Sequence, residues 1–261
     1  MSSIFASFLA LVAICGGALV GLWLAPKLPE HHLSGETGSA VSVAMAVVGT
    51  LAALVLGLMV NSASASFSAR TAAIETLASD IIKLNRALLR YGPETADIRD
   101  ALGTYARNKA DEISRVSSEA DDVGITTLHE LESIADAVLR LEPKTDRERS
   151  IQARATSLIE NMTDARWTLV EKSRMVMPAP FLEMLVAWLS LLFASFGLFA
   201  PRNATVIAFL LLGATAIAGC VFIILELGSP SQGLIRPSAD PIYRVIKELQ
   251  ITTTRSVHAP A

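Results

Sequence analysis

Few side chains in this sequence stand where they could do chemistry, and most of those stand at spacings that exclude it. His129-Glu130 supplies half of a metalloprotease helix, but no second His follows at zinc-binding spacing. There is no glycine-rich phosphate loop, and no Ser or Cys lies near a plausible base, so an enzyme is not expected. The adjacent His31 and His32 lack an acidic or cysteine partner at metal spacing and read as part of a solvated loop. Glu119, Asp121 and Asp122 lack the spaced ligands and closing Glu of a calcium loop and read as a solvated acidic turn. Neither a metal site nor a cofactor is expected. Cys15 and Cys220 both fall inside apolar stretches, as packed thiols do, and do not suggest a disulfide.

The chemistry left open is passage across a membrane. Gly49, Ala53, Gly57, Asn61, Ala65 and Ala69 recur every four residues along one slowly drifting helical stripe. Small residues let helices approach closely, so Gly49, Ala53 and Gly57 read first as helix-packing positions. The same stretch could also form a narrow pore wall. Leu54 and Leu58 would then be its apolar constriction, and Asn61, Ser64 and Ser68 its polar exit. Four spans in one chain leave no room for a central channel, so the pore reading requires a homo-oligomer.

The elements that must position this stripe are apolar helices. Of the 261 residues 52% are hydrophobic and only 18% charged, which is too apolar for an ordinary soluble domain and implies an integral membrane protein with the lipid bilayer as its first partner. A net charge of −3 gives no reason to expect nucleic acid. The expected fold class is all-α with four transmembrane helices, at about 4–25, 39–61, 181–199 and 204–226. The division is a first hairpin (1–61), a cytoplasmic helical domain (62–178), a second hairpin (179–227) and a cytoplasmic C-terminal segment (228–261). Each apolar run is long enough, at about 1.5 Å per residue, to cross roughly 30 Å of hydrocarbon.

The second hairpin is the most sharply punctuated stretch. Pro201 cannot continue a helix, Arg202 adds a charge, and Asn203 is a suitable N-cap for the last span. Beyond Glu226 a run of breakers that includes Pro230 and Gly233 leads to Arg236, and these residues form an expected interfacial motif. Glu226 itself reads as an interfacial anchor or a partner of Arg236, and Glu183 has the same status. In the first span Ala13, Gly17 and Gly21 stand four apart, which allows another helix close approach.

Between spans two and three the periodicity changes from hydrophobic to amphipathic. Ile74, Leu77, Ile81, Leu84, Leu88 and Tyr91 form a heptad seam ended by Gly92-Pro93. A second helix after Pro93 presents Ile98, Leu102, Tyr105, Ile113 and Val116. Two capping boxes, Thr127-x-x-Glu130 and Thr145-x-x-Glu148, start two more helices around the breaker Pro143. The last of these carries Ile151, Ala155, Leu158, Met162, Ala165, Leu169 and Val176, with Lys172 as the one break. The two seams must run antiparallel, giving a helical stalk. Near the end, Ile242, Val245, Ile246 and Leu249 mark a short amphipathic segment over 242–251, and 252–261 reads as a disordered end.

Six basic residues close to span ends (Arg70, Arg166, Lys172, Arg174, Arg236 and Arg244) share one side with the helical domain, against Lys27 and Arg202 on the other. Positive residues favour the cytoplasm, so both termini and residues 62–178 are expected there, in a plasma (inner) membrane.

The run Gly197-Leu198-Phe199-Ala200-Pro201-Arg202-Asn203, the exit Leu225-Glu226-Leu227-x-x-Pro230-x-x-Gly233-Leu234-Ile235 and the small-residue exit from span two together resemble the bestrophin-like family of small membrane proteins. The resemblance covers nearly the whole chain. It implies four spans with cytoplasmic termini. It also implies a distant similarity to bestrophins, pentameric ion channels whose second span lines the pore. The run of large aromatics that bestrophins place in their pore neck is missing here, as is an acidic calcium clasp. The function expected on these grounds is an oligomeric channel for inorganic ions, with a pentamer as the form that bestrophins imply. The alternative is a non-conducting scaffold or signalling protein acting through its cytoplasmic helices. A secondary transporter is disfavoured, because the four spans show no internal repeat and no interrupted helix.

Overall fold

The computed structural model describes residues 3–114, 120–174, 179–201, 203–228 and 235–257. Among them there are helices and connecting turns and no strand: α1 (Ser3–Leu24), α2 (Gly35–Tyr91), α3 (Ala96–Ser114), α4 (Ala120–Leu139), α5 (Asp146–Arg174), α6 (Ala179–Phe199), α7 (Ala204–Gly228) and α8 (Asp240–Val257). Parts of α1, α2, α6 and α7 are long and apolar enough to cross a membrane. The chain divides into two compact units, Met1–Ser66 with Met175–Ile235, and Phe67–Arg174 with Arg236–Ala261. The continuous 57-residue α2 contributes to both. The expectations for Val116, Glu119, Val176, Arg202, Pro230 and Gly233 lie outside the described residues.

In the first unit, the glycines of α1 decide how its helices meet. A Cβ on Gly17 would strike the backbone carbonyl of Ser190, and one on Gly21 would strike that of Ala194. From the other side, a Cβ on Gly197 would strike the carbonyl of Ala18. The α1 and α6 backbones therefore touch, as the Gly17 and Gly21 spacing allows. Around this contact Ile14 and Ala18 of α1, Ala52 and Met59 of α2, Leu185, Leu189, Leu192 and Phe193 of α6, and Ala214 and Ile224 of α7 form one apolar core. The turn between α6 and α7 follows its punctuation. Pro201 is exposed, and the Asn203 side chain accepts the Val206 N–H at 2.8 Å, capping α7.

The second unit is built on the α2 seam. Ile74, Leu77, Ile81, Leu84 and Leu88 are buried with Leu102 and Tyr105 of α3, Leu131, Ile134 and Val138 of α4, and Leu158 and Met162 of α5. Helix ends are closed by side chains. The Thr95 hydroxyl donates to the Leu88 carbonyl at 2.7 Å, and Gln152 Nε2 donates to the carbonyls of Val138 and Leu141, both at 2.9 Å. Gly92 sits at φ 150°, which L side chains rarely adopt, and lets the chain reverse into the Pro93–Thr95 turn that opens α3.

One capping box forms and the other does not. The Glu148 carboxylate accepts the N–H groups of Lys144 and Thr145, and Thr145 Oγ1 accepts the Glu148 N–H at 3.2 Å. These bonds, the Lys144 N–H first, hold the Glu148 carboxyl below its ordinary range. Thr127, by contrast, lies inside α4, which already begins at Ala120, so Asp121 and Asp122, expected in a solvated turn, stand in the helix. The Thr127 hydroxyl donates to Glu112 on α3 at 2.6 Å. Two expected ends also move. α7 runs on to Gly228, so Glu226 does not terminate it, and α8 continues to Val257 through residues expected to be disordered. α8 docks by Ile242, Val245 and Leu249, which join the second unit's core.

Candidate functional site

The apolar part of α2 has two unlike faces, each dictated by three-four spacing. Ala52 and Met59 are buried against α6, with Val55, Leu56 and Val60 partly covered. The opposite side carries Val43, Val47, Leu51, Leu54 and Leu58, all exposed, with Leu54 and Leu58 each 61% accessible. The stripe continues through Asn61, Ser64 and Ala65, and in the second unit through Ser68, each exposed. Its chemistry changes at Asn61 from branched aliphatic to amide and hydroxyl. All five residues expected to line a pore thus lie on the side of α2 that the chain itself does not cover.

The three small residues read as packing positions are divided by the structure. A Cβ on Gly49 would meet Leu192 Cδ1 at 2.9 Å, so Gly49 belongs to the α6 contact. Ala53 is exposed, and a Cβ on Gly57 would meet nothing within 4 Å. Gly57 and Ala53 therefore leave shallow places in the uncovered face.

The family model of the bestrophin-like domain matches residues 12–242, nearly the whole chain. The chain belongs to the bestrophin-like family. No curated protein and no solved structure matches it.

Two further features of this bestrophin-like membrane protein bear on how its apolar helices are held. At the end of α1, Lys27 Nζ lies 3.1 Å from the Trp23 ring centroid, an aromatic and cationic pair of the kind that anchors helices at a membrane surface. At the end of α7, Glu226 is only 1% exposed. Its carboxylate accepts the Ser3 hydroxyl at 2.6 Å and the Ile235 N–H at 3.0 Å. Glu226 therefore ties the start of α1 to Ile235, a specific latch where the sequence suggested an interfacial anchor or a partner of Arg236.

The bestrophin-like chain also holds a buried polar network that sequence reading missed. In the second unit Lys109 Nζ donates to Glu112 Oε1 at 2.6 Å, and the Thr127 hydroxyl donates to Glu112 Oε2 at 2.6 Å. Beside them Asn108 Nδ2 donates to Glu130 Oε1 at 2.5 Å, and the buried Tyr105 hydroxyl has no hydrogen-bond partner among the described residues. Burial lowers the Lys109 ammonium below its ordinary value against the pull of Glu112, and burial raises the Tyr105 hydroxyl. A signal was present: Lys109 fills the place between Tyr105 and Ile113 where the α3 face should have carried an apolar residue.

Proposed function

We propose that this protein is an oligomeric ion channel in which several copies of α2 surround an axis with their uncovered stripe innermost. The observation that carries this reading is the stripe itself. A row of aliphatic side chains from Val43 to Leu58 has no cover within the chain and becomes polar at Asn61. Leu54 and Leu58 then form the constriction that excludes water-borne leakage, and Asn61, Ser64 and Ser68 the hydrated exit. The family supports a ring, with five copies as the number that bestrophins imply. The four long apolar helices are read as four spans, with both termini and the second unit on the cytoplasmic side.

The direct test is to purify the full chain, determine its oligomeric state in detergent and measure ion flux after reconstitution into liposomes. Asn61→Asp should raise cation over anion permeability and Asn61→Lys should do the reverse, because a fixed charge in a narrow path of low dielectric selects counter-ions. A monomer or dimer, or an oligomer without flux, would instead favour the scaffold reading. Flux with the same selectivity in both variants would keep the channel and remove Asn61 from its wall.

Topology is tested separately, in a background lacking Cys15 and Cys220. Cysteines placed at the exposed positions Ser34 and Glu132 should label from opposite faces of the membrane. Labelling from one face would remove the four-span arrangement.

A further inference from the structure

Side chains of the first unit leave a groove unfilled between α2 and α6. It has a volume of about 350 Å³ and lies between Val55, Leu58 and Met59 of α2 and Met184, Leu185 and Trp188 of α6. Every wall is hydrocarbon, thioether or indole. At one end stand Ser62, in the stretch where α2 turns polar, and Phe181, the third residue of α6. From Ser62 to Val55, and from Phe181 to Trp188, the groove runs inward along both helices for about 10 Å, given 1.5 Å per residue.

We propose that this groove binds one acyl chain of a bilayer phospholipid. Three observations select that occupant. The groove is continuous with exposed apolar surface on its α6 side, where Phe181 and Met184 are themselves exposed, so in a membrane that side opens to lipid and not to water. Its volume spread over that length gives a cross-section of about 35 Å², too narrow to admit a helix roughly 10 Å across yet open to an unbranched chain. Its entrance lies where the apolar run of α2 gives way to Asn61 and Ser62, which places a headgroup beside amide and hydroxyl and the tail against hydrocarbon. The volume falls in the range of small-molecule pockets, about 300–1,000 Å³. Leu58 is shared between this groove and the proposed pore stripe, so a bound chain would rest against the same side chain that forms the constriction. The site itself requires the apolar helices to lie in a bilayer, and does not require conduction.

Trp188 reports the groove directly. Trp23 and Trp167 are the other two tryptophans; Trp23 lies exposed on α1, and Trp167 belongs to the second unit. Full-length protein in detergent, with Trp23→Phe and Trp167→Phe, is titrated with a phosphatidylcholine brominated on one acyl chain, whose bromines quench indole on contact. A companion carrying Trp167→Phe and Trp188→Phe leaves Trp23 to report ordinary mixing of lipid into the micelle. Quenching of Trp188 should saturate near one lipid per chain by mass action, while quenching of Trp23 should rise in proportion to the lipid fraction. Val55→Phe, which fills the groove, and Ser62→Phe, which closes its mouth from an exposed position, should each convert the Trp188 response to the proportional one. A proportional response from Trp188 in the starting protein overturns the site, as does complete protection of Trp188 by a second copy. Saturation that survives both phenylalanine substitutions overturns it equally. None of these readings depends on ion flux.

Discussion

Leu84→Asp is expected to abolish the cooperative thermal transition of the second unit, while Leu139→Asp in the same unit should leave it in place. Leu84 is fully buried at the centre of the α2 seam, with Leu158 and Met162 of α5 in the same core, whereas Leu139 is 62% exposed. Truncating a buried leucine costs about 2–5 kcal/mol, and forcing a carboxylate into the space adds the cost of desolvating its charge, about 5 kcal/mol or more in all. That is comparable with the whole stability of a domain, about 5–15 kcal/mol. The check is a thermal melt of the full chain in detergent, with limited proteolysis as a second probe. Equal melting of both variants would mean that the seam is not the core of this unit.

Lys109→Ala should be the second costly substitution. Its ammonium is almost wholly buried and paired with Glu112, whose side chain is 18% exposed and also accepts from Thr127. Removing one member of a buried pair leaves the other charge uncompensated, typically at about 3–5 kcal/mol. Partial solvent access to Glu112 puts the expected loss near the lower figure, about 3 kcal/mol. The double variant Lys109→Met with Glu112→Gln should recover most of it, because an uncharged amide still offers an acceptor to Thr127 and methionine fills the lysine stem's space. Denaturant titration of the wild type, Lys109→Met, Glu112→Gln and the double variant measures the coupling. Additive losses would show that the two side chains do not depend on each other.

These two sites also mark the boundary of what is legible in the amino-acid sequence. The α2 and α5 seams can be read because period alone tells which residues share a helix face. The same holds for the Gly92 break, where no side chain fits the backbone, and for Asn203 and Thr145, whose caps bond within four residues. Thr127 misleads because Thr-x-x-Glu is a local pattern, while its hydroxyl is satisfied by Glu112, fifteen residues back on another helix. The network around Lys109 is likewise tertiary. The C-terminal end of α8 misleads because Thr252, Thr253 and Thr254 are poor helix formers on their own, yet the helix that docks through Ile242, Val245 and Leu249 carries through them. On the candidate site, spacing finds the α2 stripe but cannot say which helix each small residue meets. Gly49 goes to Leu192, while Gly17, Gly21 and Gly197 press on backbone carbonyls of the facing helix.

That backbone contact between α1 and α6 sets a timetable for the protein's biogenesis. Ser190 and Ala194 follow Gly17 and Gly21 by about 170 residues. At a synthesis rate of about 5–20 residues per second, α1 waits on the order of ten to thirty seconds before the helix it fits has been made. During that interval its glycine surface has no matching partner in the chain, while the second unit's α3, α4 and α5 are being completed. A chain stopped before α6 would carry the α1 glycine surface without its match permanently.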